Sequence, residues 1–363
     1  MTNQLTFNQA KAEAFVGKAM ADASSATVTM MAYLGDRLNL FKTMAQSGPV
    51  TSGELATQAN VDARYAQEWL NAMACAGYVE YNPRAATFTL PREHAPVLAQ
   101  EAGPFFLGGL YQDLIGAIEP IDQIARAFKA GGGVPQSAYG DNLWCGLDRM
   151  TSAWFENFLV QVWIPSVPEV EAKLKQGAQV ATVTSVADIG CGFGRALVKL
   201  AQAFPHSSYV GYDIHEPMLE GARALAQEAG VADRVRFEQR DASQGLPGQY
   251  DLITSFDVLH DMANPRAALR AIRQALKPDG TYLLLEINSS DKLEENAGPI
   301  GAMLYSVSVL YCMSVSLAHG GEGLGTCGLP PSKVQEFCRE AGFSHIRRLP
   351  FESPLNVLYE VKV

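Results

Sequence analysis

Basic residues are scarce in this chain. Lysine and arginine total 28 against 38 aspartates and glutamates, a net charge of −10. A duplex or polyphosphate partner would need a local basic patch to overcome that balance, and no stretch of the sequence supplies one. The six cysteines (Cys75, Cys145, Cys191, Cys312, Cys327 and Cys338) form no CxxC pair. A secreted disulfide scaffold is shorter and denser in cysteine, so free thiols in a reducing cytoplasm are expected. The six histidines show no HxH or HxxxH spacing and none pairs with a cysteine at short range. No metal-ligand cluster is therefore expected. Residues 1–15 lack a basic segment followed by an apolar core, so no signal peptide is expected. One run, 297–318, has no charge over 22 residues, long enough to span a bilayer. Ser306, Ser308, Ser314 and Ser316 interrupt it, Pro299 stands near its start and no basic flank follows. A buried helix and no membrane are expected.

What remains is an ordinary globular composition. Of 363 residues, 48% are hydrophobic and 18% charged, enough for two or three domains with substantial cores. Residues 10–46 read as helix, with Met30, Leu34, Leu38, Phe41 and Met44 at helical spacing. Gly48-Pro49 breaks the chain. Residues 51–90 read as a short helix, a turn near Asn60, a helix from Asp62 to Ala76 and two short strands turning at Asn82-Pro83. That is a winged helix-turn-helix pattern. Its second helix offers Trp69, Leu70 and Met73 where a groove-reading helix needs base-edge and phosphate donors. A dimerisation module is expected in place of a nucleic-acid reader. Residues 96–177 read as helical, a linker or cap rich in aromatics, of which Trp154 and Phe155 are the candidates to line a pocket.

Strands and helices alternate beyond residue 180. Strands are expected at 183–190, 207–213, 235–241, 250–257 and 281–288. Helices are expected at 194–204, 216–229, 264–277 and 331–341, and two closing strands, 345–351 and 356–363, can pair as an antiparallel hairpin. The pattern is α/β and doubly wound. Domains are expected at 1–95, 96–177 and 178–363.

The first of these strands runs into VADIGCGFG (186–194). Gly190, Gly192 and Gly194 allow a tight turn that lets a ligand approach the backbone, and the following helix offers unpaired N–H groups. Arg195 stands where a dinucleotide fingerprint needs its third glycine. Asp188 lies just before the turn, where a carboxylate repels a pyrophosphate and suits a cationic amino-acid ligand. Asp213 ends the second strand, placed to accept from two ribose hydroxyls. Asp241 ends the third, in QRDAS (239–243), placed to accept from an adenine amino group, and Ile214 and Ala242 follow these acids in the same turns. Phe256, Asp257 and His260 stand at the carboxyl end of the fourth strand, in YDLITSFDVLHDM (250–262).

With those motifs in order, residues 180–363 resemble the class I S-adenosylmethionine-dependent methyltransferases. The whole chain resembles bacterial two-domain methyltransferases and, more distantly, plant small-molecule O-methyltransferases. The resemblance implies a seven-stranded Rossmann-like domain behind an α-helical winged-helix domain, S-adenosyl-L-methionine as cofactor, a small-molecule substrate and a homodimer. It also implies that the helix at 10–46 lends Met30 or Tyr33 to the partner's pocket. In the plant enzymes the histidine of a His-Asp-Trp segment is the catalytic base. VLHDMANP (258–265) carries that role onto His260, with Asp261 matching and Met262 departing from the tryptophan. The two flanking acids of that family fall on Glu286, in LLLEINSS (283–290), and on Glu322, in HGGEGLGT (319–326), one residue out of step. Tyr305, Ser308, Tyr311 and Cys312 fall on one stripe of the uncharged helix, a candidate wall for the acceptor.

The reading is methyl transfer to a hydroxyl oxygen of a small, partly apolar molecule, with His260 as general base. Three alternatives stay open: nitrogen or sulfur methylation of a heterocycle by positioning alone, a winged-helix regulator that senses a metabolite, and a nicotinamide oxidoreductase.

Overall fold

The computed structural model describes residues 7–176 and 183–363. They form two compact units, Met1–Ile115 and Gly116–Val363. The boundary expected at 95 does not coincide with that division, and the one expected at 177 lies outside the described residues. The segment expected over 96–177 is parted between the two units.

The first unit opens on the helix Gln9–Arg37. The single helix expected over 10–46 breaks at Asn39, whose backbone is left-handed, and resumes at Leu40–Ser47. Only the last turns of Gln9–Arg37 are buried, through Ala32, Tyr33, Gly35 and Asp36. Tyr33 belongs to its own unit's core, whereas Met30, Leu34 and Leu38 are exposed. Ser52–Ala59 starts with a capping box between Thr51 and Glu54 and ends at left-handed Asn60. The Asp62 side chain caps Ala63–Cys75 by accepting from the backbone of Arg64 and Tyr65. The wing is β1 (Glu80–Asn82) paired antiparallel with β2 (Thr87–Thr89). Trp69, Leu70 and Met73 are buried with Phe41 and Met44, which is why this helix is apolar where a reading helix is polar.

The second unit is built on a seven-stranded sheet. Its strands are β3 (Ser185–Ile189), β4 (Ser208–Asp213), β5 (Val235–Gln239), β6 (Tyr250–Phe256), β7 (Leu276–Ile287), β8 (His345–Arg348) and β9 (Asn356–Lys362). The order is β5-β4-β3-β6-β7-β9-β8. The first five run parallel, and β9 enters antiparallel between β7 and β8. The closing hairpin expected from the sequence is thus present. Continuous burial along residues 252–256 of β6 fits a strand covered on both faces. One layer gathers Val186, Leu252, Phe256 and Leu285, with Leu159 and Trp163. The other gathers Ala187, Ile253, Leu284 and Leu269, with Phe337. Crossover helices follow the strands, among them Arg195–Ala203 and Glu216–Glu228. Asn264 caps Pro265–Ala275 by accepting from the Ala267 N–H, with proline at the first helical position.

Two helical expectations are corrected. Phe155–Trp163 is a π-helix, a form rare outside single turns. It seats Phe155, Leu159 and Trp163 in the sheet's core, and Trp154 packs against the same cluster. The uncharged run has the length and mean hydropathy (1.7) of a membrane span. It is broken at Tyr311 into Pro299–Leu310 and Cys312–Ala318, with Ser308, Ser314 and Ser316 buried inside the unit. The stripe from Tyr305 to Cys312 is parted by that break.

Candidate active site

The carboxyl ends of β3, β4, β6 and β7 deliver the site. Between β3 and the helix Arg195–Ala203, Gly190, Gly192 and Gly194 all have positive φ. A Cβ on Gly190 would lie 2.4 Å from Val258, and one on Gly194 2.4 Å from Phe237. Neither position admits a side chain. At Gly192 a Cβ would meet nothing nearer than Met218 Sδ at 3.9 Å, so the backbone there lies open to a ligand.

Asp188 is buried at the end of β3, beside Thr254 of β6, whose hydroxyl donates to Asp188 Oδ1 at 2.6 Å. Burial pushes its carboxyl up to about 7, with the Asp213 charge adding to the effect and the Thr254 bond opposing it. Asp213 Oδ2 accepts from the Gly192 N–H and Oδ1 from the His215 N–H, both at 2.9 Å. Burial raises this acid too, against those backbone donors. The carboxylate clamps the glycine turn and keeps further acceptor capacity on each oxygen. Ile214 is exposed beside it. Asp241 is exposed and caps the short turn Ala242–Gln244 through the Ser243 N–H, with Ala242 buried. Phe256 is packed against Phe155 and Trp163, ring centroids 5.3 and 5.4 Å away, and anchors the end of β6.

His260 and Glu286 come together. His260 Nδ1 lies 2.7 Å from Glu286 Oε2, and Glu286 Oε1 accepts from the Leu259 N–H at 2.9 Å. Both side chains are buried. Burial by itself lowers the imidazole, but the Glu286 carboxylate overrides it, and Cys312 acts in the same direction, so His260 is held well above the ordinary histidine range. Asp261, one residue on, is pushed up to about 7 by burial. Cys312 stands beside His260 and accepts from Thr326 Oγ1 at 3.1 Å.

Other expected members lie elsewhere. Glu322 turns outward to Arg266, 3.5 Å away, which also reaches Glu336 and Glu340, so it does not flank the imidazole. Tyr305 is partly exposed and accepts from Asn296 at 3.1 Å. Ser308 is buried and accepts from the Thr326 N–H, fixing a loop. Tyr311 is buried in an aromatic group with Tyr139 and Trp144, and Trp144 lies over the His215 ring at 4.9 Å. That group borders the turn after Asp213. No sequence signal marks it, because residues 139, 144, 215 and 311 share no local motif.

Asp257 is the other residue that sequence reasoning left without a role. It has φ +62, a left-handed backbone for a non-glycine residue, which costs about 1–3 kcal/mol and collects at functional sites. Its Oδ1 is sealed from solvent and has no hydrogen-bond partner. Asp257, His260 and Glu286 each place a ligand atom within 4.8 Å of the others. Asp257 and His260 share the loop after β6 and Glu286 comes from β7, so no local spacing joins all three.

Comparison with known proteins follows the same division of the chain. Residues 187–282 match the family model described as a methyltransferase domain, and residues 26–100 match that of the Rv2258c-like winged HTH domain. The ubiquinone biosynthesis O-methyltransferase of Pseudomonas aeruginosa (strain LESB58) is 34% identical over 158 residues, 43% of this chain and 63% of that protein. The O-demethylpuromycin-O-methyltransferase of Streptomyces alboniger is 33% identical over 119 residues, 32% of this chain and 31% of that protein. The chain thus spans less than two thirds of the length of these curated relatives. Solved structures share the fold over nearly the whole chain. PigF with SAH superposes with a TM-score of 0.70 at 19% identity, covering 95% of this chain and 98% of that one. Human N-acetylserotonin methyltransferase in complex with SAM gives 0.64 at 17% identity, covering 99% of each. Residues 26–100 thus match a winged HTH domain and residues 187–282 a methyltransferase domain, and the chain has the fold of these solved structures.

Proposed function

We propose that the protein transfers a methyl group from S-adenosylmethionine to a hydroxyl of a small, partly apolar molecule, with His260 as the general base. The observation that carries this reading is the buried His260–Glu286 pair at the same strand ends as the glycine turn and Asp213. The cofactor supplies an electrophilic methyl on a sulfonium. The residues present fit it: an open backbone at Gly192, a ribose acceptor in Asp213 and an acid for a cationic amino group in Asp188. Glu286 holds Nδ1, which fixes the tautomer and directs the Nε2 lone pair to the acceptor hydroxyl. His260 then takes the hydroxyl proton at Nε2, and Glu286 stabilises the imidazolium. Apolar side chains exposed along Gln9–Arg37, among them Phe15, Val16, Met20 and Leu34, support the homodimer in this reading.

Isothermal titration with S-adenosylmethionine, S-adenosylhomocysteine and NADH tests the cofactor. Binding of the first two and not the third is expected, and binding of NADH alone would overturn the reading. Asp213→Ala should weaken S-adenosylmethionine binding by at least ~1 kcal/mol, because a buried acceptor for hydroxyls is lost. Unchanged affinity would remove Asp213 from the cofactor.

The pH profile tests the pair. The base works only when neutral, so the acid limb of kcat/KM follows the His260 pKa of the free enzyme. Glu286 holds that pKa high, so activity should climb above the ordinary histidine range. Glu286→Gln removes the carboxylate charge, lowers the pKa and should move the acid limb to lower pH. A limb that stays in place would show that Glu286 does not act on the base.

A further inference from the structure

Arg195, at the end of the glycine turn, has no part in the chemistry above. It is the first residue of the helix Arg195–Ala203, where a cation works against the helix dipole. Its guanidinium forms a two-point ion pair with Asp148. Nε donates to Oδ1 at 2.5 Å and Nη2 to Oδ2 at 2.6 Å. Paired hydrogen bonds of this kind fix orientation as well as distance. Asp148 belongs to the helix Asp141–Trp154, and one face of that helix meets both turns at the strand ends. Trp144, one helical turn before Asp148, lies over the His215 ring at 4.9 Å, in the turn after Asp213. Leu147 packs against the same cluster as Phe193 of the glycine turn and Met218. The Met218 sulfur is what a side chain on Gly192 would first meet. Glu156 extends the contact by pairing with Lys199, one turn on from Arg195.

We propose that Asp148 is a positioning residue for the cofactor. Through Arg195 it clasps the helix Asp141–Trp154 onto the glycine turn and the turn after Asp213, and opening of the clasp lets the cofactor and its demethylated product exchange. The inference rests on the S-adenosylmethionine reading. A ligand that lies on the Gly192 backbone and reaches Asp213 is held by these two turns, so whatever fixes the turns fixes its fit. The departure of Arg195 from a dinucleotide fingerprint has its use here, since a glycine at 195 would leave the turn without a grip on the helix. The Asp148 and Arg195 side chains are 13% and 36% exposed, so water and salt reach the pair. A pair of that exposure contributes modestly and is screened by salt, which suits a contact that must open in each cycle.

Release of radiolabelled S-adenosylhomocysteine, chased with the unlabelled compound, tests it. Asp148→Asn keeps the shape and removes the charge. It should release the ligand about three- to tenfold faster, the range for a partly exposed pair that also makes hydrogen bonds. Raising the salt concentration should speed release from the wild-type protein and leave the variant unmoved, because only the former has a charge pair to screen. Arg195→Gln should match Asp148→Asn, and the double variant should be no faster than either, since both break one contact. A merely structural pair would lower the melting temperature of the empty protein and leave release unchanged. That result overturns the proposal, as do single effects that multiply in the double variant. Salt-independent release from the wild-type protein overturns it too, and that arm stands if the variants do not fold. The two levels separate. Wild-type protein that does not bind S-adenosylhomocysteine overturns the cofactor reading, whereas binding with release unmoved by Asp148→Asn overturns only the clasp.

Discussion

His260→Ala should lower turnover by about 10²–10⁴-fold, the usual contribution of a positioned general base, with S-adenosylmethionine affinity largely kept. The imidazole is buried, its Nδ1 is tied to Glu286 at 2.7 Å, and the backbone on either side is fixed by the Leu259 N–H bond and the Asp261 N–H bond to Val258. The alanine variant therefore loses the base while the loop keeps its anchors. The residues proposed to hold the cofactor, Asp188, Asp213 and the glycine turn, belong to other strands and stay in place. Steady-state turnover with a phenolic acceptor and calorimetry with S-adenosylmethionine read the two quantities separately. Near-normal turnover would mean that the acceptor needs no base, as for a nitrogen or sulfur centre methylated by positioning. The Glu286 carboxylate sets the imidazole's charge, so any loss should be measured on the alkaline side of the acid limb, where the wild-type base is neutral.

Trp163→Ala should destabilise the second unit by about 3–5 kcal/mol, the cost of emptying a large aromatic site in a packed core. Trp163 is 1% exposed and meets Phe155, Phe158, Phe256 and Phe351, with ring centroids between 5.4 and 6.4 Å. Its Nε1 has no partner. Trp163→Phe should therefore be much milder, because it keeps a ring and removes an unpaired N–H. Urea unfolding with the midpoint and slope compared across the three proteins checks this. Equal small losses in both variants would mean that this aromatic segment is a loosely attached cap and not part of the sheet's core. The consequence reaches the site, since Phe256 is held by Trp163 and Phe155 at the end of the strand that leads into Asp257 and His260.

The strands, their order along the chain and the acids at their ends are legible from the residues alone. Those features are local: an apolar run, a glycine turn and a terminal carboxylate are each set within about ten residues, and parallel strands buried on both faces write their pattern plainly. The residues also placed the winged helix, through Asp62 and the turn at Asn60, and named His260 and Glu286 separately. Features that depend on distant segments meeting emerge with the packed fold. Register across β6 and β7 brings Glu286 to His260, while Arg266 draws Glu322 away to the surface. Packing of the π-helix against the sheet places Phe155 in the core. The break at Tyr311 parts a stripe that looked continuous, because a run with no charge carries no periodic mark of where its helix must bend. Asp257 and Asn356 lie 99 residues apart in the chain, and they face each other only because the sheet sets β9 beside β7.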